Sequence, residues 1–188
     1  MQPFAVRHLP NLICVFRIAL VWPIVTTLWT GRYTVALALF LVAALSDGLD
    51  GYLAKRFGWQ SALGKVLDPL ADKLLLVAMF IEATWLGLVP WWLTAAVVAR
   101  DVLIGLGAGV FLLCFGPLRG RPTVVSKINT GTQLLFLTGV MVRAATGVPP
   151  EEILKAAAVI TFCTTIVSGY GYIATFTRRA WSQPVAQS

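Results

Sequence analysis

Six long apolar runs, divided by short polar segments, organise the chain; they cover approximately residues 12–30, 33–54, 67–88, 91–115, 124–146 and 152–176. Each is close to the ~20 residues an α-helix needs to cross a hydrocarbon layer. In lipid every backbone polar group must be paired within the segment, and helix is the open-chain solution. The pattern predicts an all-α polytopic membrane protein with six transmembrane helices. Two connecting segments, 55–66 and 116–126, are long enough to carry function, and both are basic. The tail after Arg179 is polar and is expected to fray.

Basic residues orient this bundle, because cytoplasmic loops collect lysine and arginine. With the N-terminus inside, the cytoplasmic segments hold Arg7, Lys55, Arg56, Lys65, Arg119, Arg121, Lys127, Arg178 and Arg179. The opposite side holds Arg32, Arg143 and Lys155, offset in part by Glu151 and Glu152. The asymmetry predicts N-in and C-in, in keeping with an even number of spans. Trp29, Tyr33, Trp85, Trp91 and Trp92 would then mark the outer interface, and Trp59 and Trp181 the inner one.

Composition strengthens the membrane reading. Hydrophobic residues make up 58% of the 188 residues and charged ones 12%, about half the share usual in a soluble domain. Mean hydropathy is +0.81. The length predicts one domain, 1–188, with no room for a separate soluble module. The net charge of +7 fits cytoplasmic loops and attraction to anionic lipid or phosphate. No basic stripe stands outside the apolar runs, so nucleic acid is not an expected partner. Cys14, Cys114 and Cys163 are far apart, in apolar runs, and are expected to pack rather than to bind metal or pair. His8 is the sole histidine, which excludes a histidine-based catalytic apparatus. The first apolar run lacks a convincing cleavage site and is expected to be a retained span rather than a leader.

Chemistry concentrates in one stretch. Ser46-Asp47-Gly48-Leu49-Asp50-Gly51-Tyr52-Leu53-Ala54-Lys55-Arg56 continues to Gly64-Lys65-Val66-Leu67-Asp68-Pro69-Leu70-Ala71-Asp72-Lys73, and holds four of the chain's eight acids. Asp47 and Asp50 are spaced i,i+3 and Asp68 and Asp72 i,i+4, so each pair shares a helix face. One short loop joins the two segments, which are expected to be antiparallel neighbours with their acidic faces across a groove. Four converging carboxylates repel unless cations lie between them. Each would also cost about 2.5–3.5 kcal/mol at mid-membrane. Hard divalent cations with oxygen ligands remove both problems, and two such ions about 3.5–4 Å apart can clamp a phosphoryl group in an in-line displacement. Gly51, Ala54 and Gly64 leave open space beside the acids. The bland alternatives are a solvated acidic face and small residues serving helix packing.

The arrangement Asp-x-x-Asp-Gly-x-x-Ala, then Gly-x-x-x-Asp-x-x-x-Asp, resembles the signature of the CDP-alcohol phosphotransferase (CDP-alcohol phosphatidyltransferase) family, and the six-span pattern extends the likeness over most of the chain. The resemblance implies two divalent cations, Mg2+ or Mn2+, held by Asp47, Asp50, Asp68 and Asp72, with Asp72 also the general base on the acceptor hydroxyl. It implies that Gly51, Ala54, Lys55 and Gly64 contact the cytidine diphosphate of CDP-diacylglycerol, that the active site lies at the cytoplasmic face of an inner or equivalent organelle membrane, and that the protein is a homodimer. Lys55 departs from the arginine usual in the family, keeping the charge but losing the planar fork.

Acceptor choice is read from three places. Leu9-Pro10-Asn11-Leu12-Ile13 with Arg17 is similar to the branch making phosphatidylglycerophosphate or cardiolipin. Arg100, deep in the fourth run beside Asp101, is either an anion partner or a structural pair. Ser126-Lys127-Ile128-Asn129-Thr130 stands where phosphatidylglycerophosphate synthases usually have Gly-Lys-x-Lys-Thr, and Gly105, Gly107 and Gly109 stand where they carry a second arginine. A dianion such as glycerol 3-phosphate needs more cations than a phosphodiester. These features resemble the family's cardiolipin synthases, with phosphatidylglycerol as acceptor and Arg100, Lys127 and Arg119 as acceptor-binding residues; glycerol 3-phosphate is the alternative. An ion-coupled transporter is the alternative of another class, since intramembrane acids also mark ion pathways.

Overall fold

The computed structural model describes the backbone of residues 9–57, 64–115 and 124–182, and the side chains of 13–46, 71–110 and 124–174. The described residues are all-α, in six helices: α1 (Leu9–Trp29), α2 (Tyr33–Phe57), α3 (Gly64–Trp85), α4 (Trp91–Phe115), α5 (Val124–Thr146) and α6 (Glu151–Ser182). The six apolar runs are thus six helices. α2 continues three residues past its predicted end and α3 begins three earlier, so all four motif aspartates lie within helix. Pro69 consequently falls beyond the first turn of α3 rather than beside its start.

Two compact units are present. The first comprises Met1–Val89 and Leu137–Pro150, and the second Pro90–Phe136 and Glu151–Ser188. In the first unit α1 lies against both α2 and α3. Its buried stripes repeat at helical spacing: Cys14, Arg17, Leu20, Ile24 and Leu28 on α1; Ala36, Phe40 and Ala43 on α2; Ala71, Leu75, Leu76, Met79, Phe80 and Ala83 on α3. In the second unit α4 lies against α6, and Trp92 meets Phe162 edge-on at 5.3 Å between ring centroids. Its buried positions are more polar, with Arg100 on α4, Asn129 and Gln133 on α5, and Thr161, Thr165 and Ser168 on α6.

Apolar side chains also cover the outward faces. Phe16, Trp22, Leu45, Leu106, Leu135, Ile153, Ile160 and Ile166 are exposed. A helix apolar all round belongs in a membrane or a large core. Trp91–Val110 (20 residues) and Glu151–Ala174 (24 residues) are long and apolar enough to cross a membrane, and Ile13–Trp29 and Tyr33–Ser46 are shorter apolar helices. Trp29, Trp85 and Trp91 are exposed at helix ends, where indole rings favour the headgroup level. Of the cysteines expected to pack, Cys14 is buried, whereas Cys163 is exposed on α6; the third, Cys114, has its side chain outside the described residues.

Candidate metal centre

The backbone places Asp47 and Asp50 on α2, with Gly51, Ala54 and Lys55 following in the same helix. Asp68 and Asp72 lie on α3, which opens at Gly64. The helical spacing expected of both acid pairs is therefore present. The side chains of Asp47, Asp50, Gly51, Ala54, Lys55, Gly64 and Asp68 lie outside the described residues. Just ahead of them, Ser46 donates its hydroxyl to the Val42 carbonyl at 2.6 Å.

Asp72 is the described member of the set. Its neighbour Ala71 is fully buried and Leu75 and Leu76 continue the inward stripe, which puts Asp72 on the flank of that stripe. The Asp72 side chain is 36% exposed and forms an ion pair with Arg17, whose side chain is 0% exposed. Arg17 Nη1 donates to Asp72 Oδ1. Helix register explains the meeting: Arg17 is the ninth residue of α1 and Asp72 the ninth of α3, and the two helices pack together. Among the described residues no three His, Cys, Asp or Glu converge as a metal cluster. Asp72 offers a hard oxygen donor of the kind divalent cations take, and its side chain is 36% exposed beside Arg17.

Arg100 belongs to the second unit, and its guanidinium is engaged internally. Nη1 donates to Asp101 Oδ1 at 2.6 Å, and Nη2 to the hydroxyls of Ser126 (2.8 Å) and Ser168 (2.6 Å). Its charged carbon lies 5.8 Å from the centroid of the Tyr172 ring. Of the two readings of Arg100 given by the sequence, the internal pair with Asp101 is present. Ser126 ties it to the first turn of α5, where Lys127 is exposed. Arg119 lies outside the described residues.

Sequence reasoning assigned no role to two features. One is the Arg17–Asp72 pair, whose signal was a permanently charged side chain within an apolar run. The other is a polar seam between α5 and α6. The Asn129 side-chain oxygen lies 3.0 and 2.9 Å from the hydroxyls of Thr164 and Thr165, and Thr132 and Thr164 hydroxyls meet at 3.0 Å. The i,i+4 spacing of Asn129 with Gln133, and of Thr161 with Thr165, was its sequence signal.

An all-α chain with apolar outward faces, carrying paired aspartates on two helices that both pack against a third, has the architecture of a membrane-embedded protein. The family model for CDP-alcohol phosphatidyltransferase matches residues 7–168, and the chain belongs to that membrane enzyme family. It is 33% identical over 182 residues to a protein of Rattus norvegicus named cardiolipin synthase (CMP-forming), covering 87% of this chain and 60% of the relative. The Homo sapiens protein of the same name is 31% identical with the same coverage. A Mycobacterium tuberculosis protein named probable phosphatidylglycerophosphate synthase is 29% identical, covering 90% of this chain and 81% of the relative. The chain thus spans 60% of the length of each of these two cardiolipin synthases.

Proposed function

We propose that the chain transfers a phosphatidyl group from CDP-diacylglycerol to an alcohol with release of CMP, and that the alcohol is phosphatidylglycerol. The observation that carries the reading is the family match over 7–168, which contains the whole aspartate motif on α2 and α3. Asp47, Asp50, Asp68 and Asp72 are the residues to hold two divalent cations, Mg2+ or Mn2+, and such ions, when bound, supply charge neutralisation at the diphosphate. Lys55 adds positive charge toward the diphosphate, while Gly51, Ala54 and Gly64 leave room for the nucleotide. Asp72 accepts the acceptor's hydroxyl proton. The acceptor oxygen forms a bond to the phosphatidyl phosphorus, the bond from that phosphorus to the CMP oxygen breaks, and CMP leaves.

Two observations favour a phosphodiester acceptor. Arg100 already carries Asp101 as a counter-charge, and Asn129 is a neutral, fully buried amide. Lys127 is left as the exposed cation on the first turn of α5, and Arg119 is proposed to join it. A phosphodiester monoanion needs less compensation than a phosphomonoester dianion. The relatives named cardiolipin synthase point the same way. Glycerol 3-phosphate is the second reading, favoured by the fuller coverage of the relative named phosphatidylglycerophosphate synthase.

The same reading carries a six-span, N-in and C-in topology, supported by the distribution of lysine and arginine, with the active site at the cytoplasmic face of an inner or equivalent organelle membrane. It carries one catalytic domain, 1–188, supported by a family match that runs through both compact units, and a homodimer. The deciding experiment offers the purified protein CDP-diacylglycerol with phosphatidylglycerol and glycerol 3-phosphate in paired assays. Preferential consumption of phosphatidylglycerol, with CMP and cardiolipin appearing together, is expected; equal or reversed preference overturns the acceptor assignment.

A further inference from the structure

The Arg100 guanidinium holds its neighbours in place. The residue is 5% exposed, and its stem lies close under α6, where a Cβ placed at Gly169 would be 3.6 Å from Cγ. Nη1 donates to Asp101, and Nη2 donates to both Ser126 and Ser168. Ser126 stands in the first turn of α5, immediately before the exposed Lys127. The first turn of a helix has N–H groups without intrahelical partners, and helix ends fray. A charge-assisted bond from a buried donor ties that turn to α4. Successive side chains project about 100° apart around a helix. A turn held inward through Ser126 therefore directs Lys127 outward from a fixed root.

We propose that Arg100 is a positioning residue that, through Ser126, fixes the first turn of α5 so that Lys127 meets the anionic group of the acceptor. The inference rests on the reading of Lys127 as an acceptor-binding cation given above, and gives the buried arginine a role without contact with the acceptor. Lys127 carries a compact charge on a flexible four-carbon stem. Anchoring the root of that stem reduces the ordering needed when an anion binds, which is worth about 3–10-fold in affinity for one rotamer-rich side chain. A purely structural tie predicts lower thermal stability with acceptor binding unaffected. Direct contact between Arg100 and the acceptor predicts an effect that persists without Lys127.

The test is steady-state transfer by the full chain in detergent–lipid micelles, with CDP-diacylglycerol as donor and, in separate series, phosphatidylglycerol or glycerol 3-phosphate as acceptor. Ser126→Ala is expected to raise the acceptor KM about 3–10-fold, with kcat and the KM for CDP-diacylglycerol unchanged. Arg100→Lys, which keeps a charge beside Asp101 without the planar fork, is expected to do the same. Lys127→Ala is expected to raise the acceptor KM, and adding Ser126→Ala to it is expected to raise it no further, because residues that act through one another are not additive. Ser168→Ala removes the bond to α6, leaves the one to α5, and is expected to keep the wild-type acceptor KM. An unchanged acceptor KM in Ser126→Ala or Arg100→Lys overturns the proposal, as does an additive double variant or an equal rise in Ser168→Ala. If Arg100→Lys does not fold, the cycle of Ser126→Ala and Lys127→Ala decides. No transfer to either acceptor, or a wild-type acceptor KM in Lys127→Ala, removes the acceptor reading and the proposal with it. A raised KM in Lys127→Ala beside a wild-type KM in Ser126→Ala removes only the role of Arg100.

Discussion

Arg17 and Arg100 are both buried in helices that the sequence reads as spans, and each pairs with an aspartate. Their settings differ. Arg100 pairs with its own neighbour Asp101 and takes two serine hydroxyls from α5 and α6, which makes it a tie between helices as well as a charge. Arg17 crosses from α1 to α3 and ends on a half-open carboxylate. Removing the aspartate from beside either buried arginine costs about 3–5 kcal/mol. Asp68 is the other α3 acid of the motif and offers a second probe of the chemistry. Asp68→Asn is expected to lower kcat/KM by at least about 100-fold, or roughly 2.7 kcal/mol of transition-state stabilisation, with an unchanged elution profile on size exclusion. Transfer at the wild-type rate would refute the aspartate site.

Helices α1 and α3 end in the same way. Gly31 N donates to Leu28 O at 3.0 Å and Arg32 N to Thr27 O at 2.9 Å. At the end of α3, Gly87 N donates to Thr84 O at 3.0 Å and Leu88 N to Ala83 O at 2.8 Å. These paired bonds satisfy the last carbonyls of each helix and require a left-handed residue at the glycine; φ is +70° at Gly31 and +73° at Gly87. A Cβ at Gly87 would meet nothing within 4 Å, so the cost of Gly87→Ala is conformational, about 1–2 kcal/mol. Thermal unfolding of that variant is expected a few degrees below wild type. Gly105→Ala, also in open space but on α4 without a positive φ, is the control, expected to be neutral or stabilising. A melting temperature unchanged in Gly87→Ala would show that the cap contributes little. The seam between α5 and α6 belongs to the same scale. Hydrogen bonds between helices in lipid contribute about 0.6 kcal/mol each, so the seam acts as register-setting glue rather than as a dominant source of stability.

For the molecule as a whole, ligand linkage is the direct probe of function. A protein that binds nucleotide through divalent ions is stabilised by about 2.7 kcal/mol at a hundred times the dissociation constant. CMP with Mn2+ is therefore expected to raise the unfolding temperature of the intact chain. A shift with a transported ion, and none with CMP, would instead favour an ion-coupled transporter. Much of this was legible in the residues themselves. Apolar run length located the six helices, five of them to within three residues at each end, while α6 runs six residues past its expected end, because apolar length tracks what a membrane requires of a span and not where the polar end of a helix stops. The fixed spacing of Asp47, Asp50, Asp68 and Asp72 pointed to the family, which the match over residues 7–168 shows, because such a signature is a local pattern of residues. The acceptor was not legible in the same way, because relatives named cardiolipin synthase and phosphatidylglycerophosphate synthase are alike to this chain at 33% and 29% identity. Tertiary structure decided which buried charges meet. Arg17 and Asp72 are 55 positions apart, and their pairing follows from two helices packed with those positions level, a relation between elements that no local pattern encodes.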